Sequence, residues 1–98
     1  SFPPKVYWSS SWYSSFGATL VDFDAKTLIF DIDGAGIKKI DLTKSSPNIS
    51  FTKYYTNDNR SEIITRDEIK IGEQIGISLG VDTSSGEIKE LTLIKIVK

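Results

Sequence analysis

Four aspartates crowd two neighbouring stretches: Asp22 and Asp24 close one run of strand-forming residues, and Asp31 and Asp33 close the next. Residues 17–33 read GATLVDFDAKTLIFDID, with Asp24, Ala25 and Lys26 as the turn candidates between two arms rich in Thr, Val, Leu, Ile and Phe. If the arms pair as a hairpin, facing carboxylates repel unless lysines or a cation settle them. Asp31, Asp33 and Gly36 also match the first half of a calcium loop. The fifth and twelfth positions of that loop are Ala35 and Leu42, which bring no side-chain oxygen. Lys26, Lys38 and Lys39 are the nearer counter-charges, so no metal ligand is assigned. The chain has neither histidine nor cysteine. That removes the commonest general base, thiol nucleophiles, thiolate zinc sites and disulfide frameworks, and no cofactor is expected.

Residues 28–34, LIFDIDG, resemble motif I of the haloacid-dehalogenase-like phosphatases, an apolar strand followed by D-x-D-G. The resemblance implies Asp31 as the nucleophile that forms an aspartyl-phosphate and Asp33 as the general acid and base. It also implies a magnesium ion between them and the phosphate. It covers seven of ninety-eight residues. The family has Thr or Val after the motif, where this chain has Ala35-Gly36. It also needs a downstream Ser or Thr, a Lys and a distal acidic pair on a parallel sheet wrapped by helices. Helix-period sequence is almost missing here, and the chain is short for repeated βαβ units. Two-residue alternation by itself sends Asp31 and Asp33 outward and Phe30 and Ile32 inward. The expectation is therefore a protein that is not an enzyme, with an aspartate-based phosphatase as the last alternative.

Aromatic residues offer a second kind of chemistry. Residues 1–16 hold six serines, six aromatics and one charge, Lys5, and both tryptophans of the chain fall there. Trp8, Trp12 and Tyr13 are candidate binding residues, as stacking rings for sugar faces or as anchors at a protein contact. The competing role is to close one end of a core. Tyr54 and Tyr55, beside Lys53 and ahead of a polar turn at residues 57–60, form a second candidate binding cluster. Adjacent residues of a strand point to opposite faces, which would separate the two tyrosines.

These side chains need strands to position them. After Pro3-Pro4, residues 5–8 read as a short strand, Ser9-Ser10-Ser11 as a loop or bulge, and residues 12–16 as a second short strand. Residues 37–42 read as a strand or a single helical turn, and residues 48–56 as a strand. The turn at residues 57–60 then joins that strand to residues 61–66 in a second hairpin. Residues 75–82, IGISLGVD, have the clearest period of two, with Ile75, Ile77, Leu79 and Val81 on one face. In residues 87–98, Ile88 is out of step with Leu91 and Leu93, which are out of step with Ile94 and Ile96. Two phase slips predict bulges or a change of face. The sum is one all-β domain over residues 1–98, an antiparallel sandwich or small barrel of seven to nine short strands. Residues 1–16 pack on or beside its sheet.

Twelve basic and thirteen acidic residues leave a net charge of −1. That offers no general attraction to nucleic acid. No apolar run approaches the ~20 residues of a membrane-spanning helix, and the first residues lack the apolar segment of a signal peptide. The expected function is non-catalytic recognition, with a protein partner through an exposed sheet edge or the aromatic end. A carbohydrate ligand on the N-terminal rings is the alternative. A periplasmic or secreted setting is favoured over the cytoplasm, with neither nucleic acid binding nor membrane insertion.

Overall fold

The computed structural model describes residues 10–32, 36–44 and 46–98, and for residues 10–16 the backbone alone. Its elements in chain order are β1 (Ser10–Phe23), β2 (Thr27–Ile32), β3 (Gly36–Asp41), β4 (Asn48–Tyr55), β5 (Arg60–Ile63), one 3₁₀ turn (Arg66–Glu68), β6 (Gln74–Asp82) and β7 (Ile88–Val97). The described residues contain no α-helix, and the fold is all-β. The seven strands form one sheet in the order β3-β2-β1-β6-β7-β4-β5.

Five of the six pairings are antiparallel. The sixth, β4 on β7, is parallel and departs from the fully antiparallel expectation. It joins residues about forty positions apart, a pairing that no local pattern announces. A further correction concerns β1. The reading of Ser9-Ser10-Ser11 as a loop or bulge, followed by a short strand at residues 12–16, gives way from Ser10 onward to one strand of 14 residues. β1 has a neighbour on each side. Ser10–Ser15 and Ala18–Thr19 pair with β6, while Ala18–Phe23 pairs with β2. Hydrogen-bonded neighbours outweigh the weak strand preference of serine, because strand preference depends on context. Residues 5–8 lie outside the described residues. The strand expected at residues 61–66 stops at Ile63, and the chain turns through the 3₁₀ segment instead.

Alternation sorts the side chains. Ala18, Leu20, Leu28, Phe30, Ile75, Ile77, Leu91 and Leu93 are buried on one face. The bulge between Leu20 and Asp22 brings Phe23 back to that face. β1 and β4 are separated by β6 and β7, about 14 Å along a flat sheet at ~4.8 Å per step. Yet the rings of Phe23 and Phe51 meet edge to face with centroids 5.9 Å apart. The sheet therefore coils strongly, and its concave face holds the core.

Residues 64–73 cross that concave face as a strap from β5 back to β6. Ile64 and Ile69 are buried beneath it. The amide of Ile64 donates to the Phe51 carbonyl at 3.0 Å, and the amide of Gly72 donates to the Leu20 carbonyl at 2.8 Å. The Arg66 guanidinium lies 4.8 Å from the centre of the Phe23 ring and donates to the Phe23 carbonyl. No helix of the described residues is long and apolar enough to cross a membrane.

Candidate functional site

The convex side of β4, β5 and β7 carries an open, largely apolar surface. Parallel pairing sets Ser50 beside Thr92, Thr52 beside Ile94 and Tyr54 beside Ile96. Antiparallel pairing adds Ile63 beside Thr52 and Ser61 beside Tyr54. Directly paired residues share a face. Thr52, Tyr54, Thr56, Ser61, Ile94 and Ile96 accordingly line an open trough of about 440 Å³. Its floor is aliphatic, its rim is hydroxylic, and none of these side chains is charged. The hydroxyls of Ser50 and Thr92, 3.0 Å apart, lie upstream of the trough on the same two strands. Ile63, next to it on β5, is 88% exposed.

No family model, curated protein or solved structure matches this chain. The function has to be read from the site.

Tyr54 is held in place by the turn that follows its strand. Its hydroxyl donates to Asn59 Oδ1. Asn59 has a φ of +54°, a left-handed conformation that asparagine tolerates. Tyr55 points to the other face. Its hydroxyl donates to Glu62 Oε1 at 2.7 Å, and its ring lies under the Arg60 guanidinium at 4.2 Å and the Lys53 ammonium at 5.8 Å. The two tyrosines are thus separated as strand alternation requires, and only Tyr54 belongs to the trough. Trp12 and Tyr13 are opposite Gly80 and Leu79 in the β1–β6 register. Their rings, and Trp8 altogether, lie outside what is described, so the carbohydrate expectation receives no geometry.

On the concave side, the Lys53 ammonium sits 3.3 Å from Glu68 and 4.0 Å from Glu62. Its hydrogen bond to Glu68 raises the lysine above its ordinary value, with the nearby Tyr55 and Glu68 charges acting in the same direction. Lys95 is 3.3 Å from a Glu73 carboxylate oxygen and donates to the Glu68 carbonyl at 2.9 Å. These contacts fasten the strap, which also lines a recess of about 380 Å³ with Leu20 and Phe23.

The aspartates that opened the sequence reading have separate places. Asp22 accepts the Phe23 amide at 2.9 Å. Asp24 accepts the amides of Lys26 and Thr27 at 2.8 and 2.9 Å, closing the β1–β2 turn. Asp31 is exposed on β2, beside a recess of about 240 Å³ that Gly17, Thr19 and Gln74 share with it. Asp33 lies outside the described residues, and no three metal-ligating side chains gather among those described. β2 runs between two antiparallel neighbours. The phosphatase resemblance implied a parallel sheet wrapped by helices, and the sheet here is of a different kind.

Asp82 repeats the device of Asp24. Its Oδ1 accepts the amide and hydroxyl of Ser84 at 3.0 and 2.8 Å, and Asp41 does the same for Thr43 at 2.9 and 2.6 Å. Donated hydrogen bonds favour the ionised carboxylate and hold all three below their ordinary values.

Thr52, Thr56, Ser61, Ile63, Ile94 and Ile96 were not among the candidate residues. One signal pointed to them. The first phase slip of the last strand is a bulge, since Val81 pairs with Ile88 and Gly80 with Glu90, leaving Lys89 over. The second is no bulge. Register runs unbroken from Leu91 to Val97, so Ile94 and Ile96 give the strand a second apolar face.

Proposed function

We propose that this chain is a non-catalytic protein-recognition module whose contact surface is the convex trough together with the outer edge of β5, which pairs with no further strand among the described residues. The observation that carries the reading is Ile63, a large aliphatic side chain 88% exposed at the outermost strand, directly beside the trough. Apolar surface that could have been buried but is left at the rim of a groove marks an interaction site. The chemistry of the lining favours a peptide segment over an ion or a phosphate, because the six lining residues are uncharged. An extended segment would take its main-chain hydrogen bonds from the β5 edge and lay an aliphatic side chain against Ile63, and the residues that follow it would cross β5 and β4 to reach Ile94 and Ile96.

For the architecture, we infer the small-barrel arm of the expectation. The β1–β2–β3 meander, the β6–β7 hairpin against β1 and the parallel β4–β7 pair follow the order of the five-stranded Greek-key barrel. In this view β3 and β4 are two halves of one barrel strand. That barrel recurs as a binding scaffold with unrelated ligands, so the trough and not the topology supports the protein partner.

The test is selection of random twelve-residue peptides displayed on phage against the full chain, with Ile63→Lys and Ile94→Lys variants as counter-targets. Selected peptides are expected to carry aliphatic residues at alternate positions and to lose binding at least tenfold on either variant. Failure to enrich any peptide, or enrichment indifferent to both variants, overturns the reading.

A further inference from the structure

We infer that the segment recognised at the β5 edge is β5 of a second copy of this chain, paired antiparallel about a two-fold axis through Ser61. The inference rests on the recognition reading above and names its partner. β5 ends the sheet order, so its outer edge faces no strand among the described residues. The strand reads Arg60, Ser61, Glu62, Ile63. With Ser61 opposite Ser61, Arg60 of each copy stands directly across from Glu62 of the other, and the opposite-charge pair forms twice. Directly facing charges of opposite sign favour a strand pair, and like charges disfavour it.

That complementarity selects one register. Moving the axis to the midpoint of Ser61 and Glu62 sets Arg60 against Ile63. Moving it onto Glu62 sets two carboxylates face to face. Only the Ser61 register satisfies both charges. Arg60 and Glu62 both lie on the concave side, where their in-chain partners Tyr55 and Lys53 also lie. Within its own chain Arg60 lies 3.3 Å from Asp58 and 3.9 Å from Glu62, and Glu62 also meets Lys53 and the Tyr55 hydroxyl, yet their side chains are 56% and 43% exposed and keep surface for a partner across the axis. Ser61 at the axis is small and lets the backbones approach.

The convex face supports the same arrangement. Ile63 falls opposite Asn59 of the other copy, whose amide oxygen the Tyr54 hydroxyl holds. The most exposed large aliphatic residue is thereby covered, and the two troughs become neighbours on one continuous sheet. The strand at the other end of the described sheet is built differently. β3 carries adjacent Lys38 and Lys39, and lysine on an edge is a common guard against strand addition. β5 carries none. An edge of four residues gives a small, isologous interface, so the pairing is reversible and concentration-dependent.

The experiment is sedimentation equilibrium of the full chain from micromolar to millimolar concentration, with Arg60→Glu and Glu62→Arg alone and mixed. The parent chain is expected to dimerise. Each single variant places like charges across the axis and weakens dimerisation at least tenfold. An equimolar mixture of the two variants brings opposite charges together again and recovers a mixed dimer, which no loss of fold could produce. Slower amide exchange in β5 at high concentration gives a readout that needs no variant. A parent that stays monomeric to millimolar concentration, single variants that dimerise like the parent, or a mixture that recovers nothing overturns the proposal. If the parent is monomeric while trough-dependent peptides are still selected, self-pairing falls and protein recognition stands.

Discussion

Lys53 of β4 and Lys95 of β7 are register partners in the parallel pair, so two ammonium groups stand side by side on the concave face. Each is matched by the strap, Lys53 by Glu68 and Lys95 by Glu73, both at 3.3 Å. The parallel pairing and the strap are therefore coupled. Without the strap's carboxylates the two lysines repel, and without the pairing the carboxylates lose the frame that holds their partners.

Glu68→Ala should lower the urea midpoint of unfolding, and the difference from the parent should shrink as salt is raised, because these charges are partly exposed and screened. The alkaline limb should respond as well. Lys53 titrates above its ordinary value in the folded chain. The stability it adds is complete below that ordinary value and is lost as pH rises through the raised one. Glu68→Ala should flatten this loss. An unchanged midpoint at both low and high salt would show that Glu68 does not hold the strap.

The three turn aspartates contribute to the acid limb. Asp24, Asp41 and Asp82 all titrate below their ordinary values when folded. Their stabilisation is complete above the ordinary value and disappears as pH falls through the lowered ones. Replacing all three with Asn keeps an oxygen acceptor for each turn but removes the titration. The triple variant should show a shallower loss of stability as pH falls below the ordinary aspartate range, read by denaturant titration at each pH. A slope equal to the parent's would refute this assignment.

Leu93 and Ile63 differ in burial more than in chemistry. Leu93 is fully buried between β6 and β4, and Leu93→Ala should cost about 2–5 kcal/mol through lost burial and the cavity left behind. Ile63→Ala, at an exposed edge, should stay within about 0.5 kcal/mol of the parent. Chemical unfolding of the two variants checks the pair. A large cost at Ile63 would mean that its side chain is covered in solution.

Arg66 is expected to be irreplaceable by lysine. Its guanidinium stacks on Phe23 and also donates to the Phe23 carbonyl, a planar double role that an ammonium does not reproduce. Arg66→Lys should speed amide exchange at Ile64, Ile69 and Gly72 while leaving Ile77 and Leu93 protected. Uniform acceleration across the sheet, or none, would contradict a role confined to the strap.

Local pattern was enough for elements whose structure depends on near neighbours. The β1–β2 hairpin closes at Asp24 because an aspartate two residues before an amide caps its own turn. β6 alternates in sequence because its aliphatic side chains share one face, where Ile75 and Ile77 enter the core, while the other face carries the small residues Gly76, Ser78 and Gly80, and the bulge at Lys89 registers as Ile88 falling out of step. What pairs with what was decided only in three dimensions. The parallel β4–β7 contact depends on residues forty positions apart. The serines before Trp12 join a strand because β6 lies alongside them. Ile94 and Ile96 become the floor of a trough, and not core, because β7 spends its other face on Leu91 and Leu93. Side-chain alternation is a property of a single strand, whereas the identity of its neighbour is a property of the whole chain, and the trough exists only where three such strands meet.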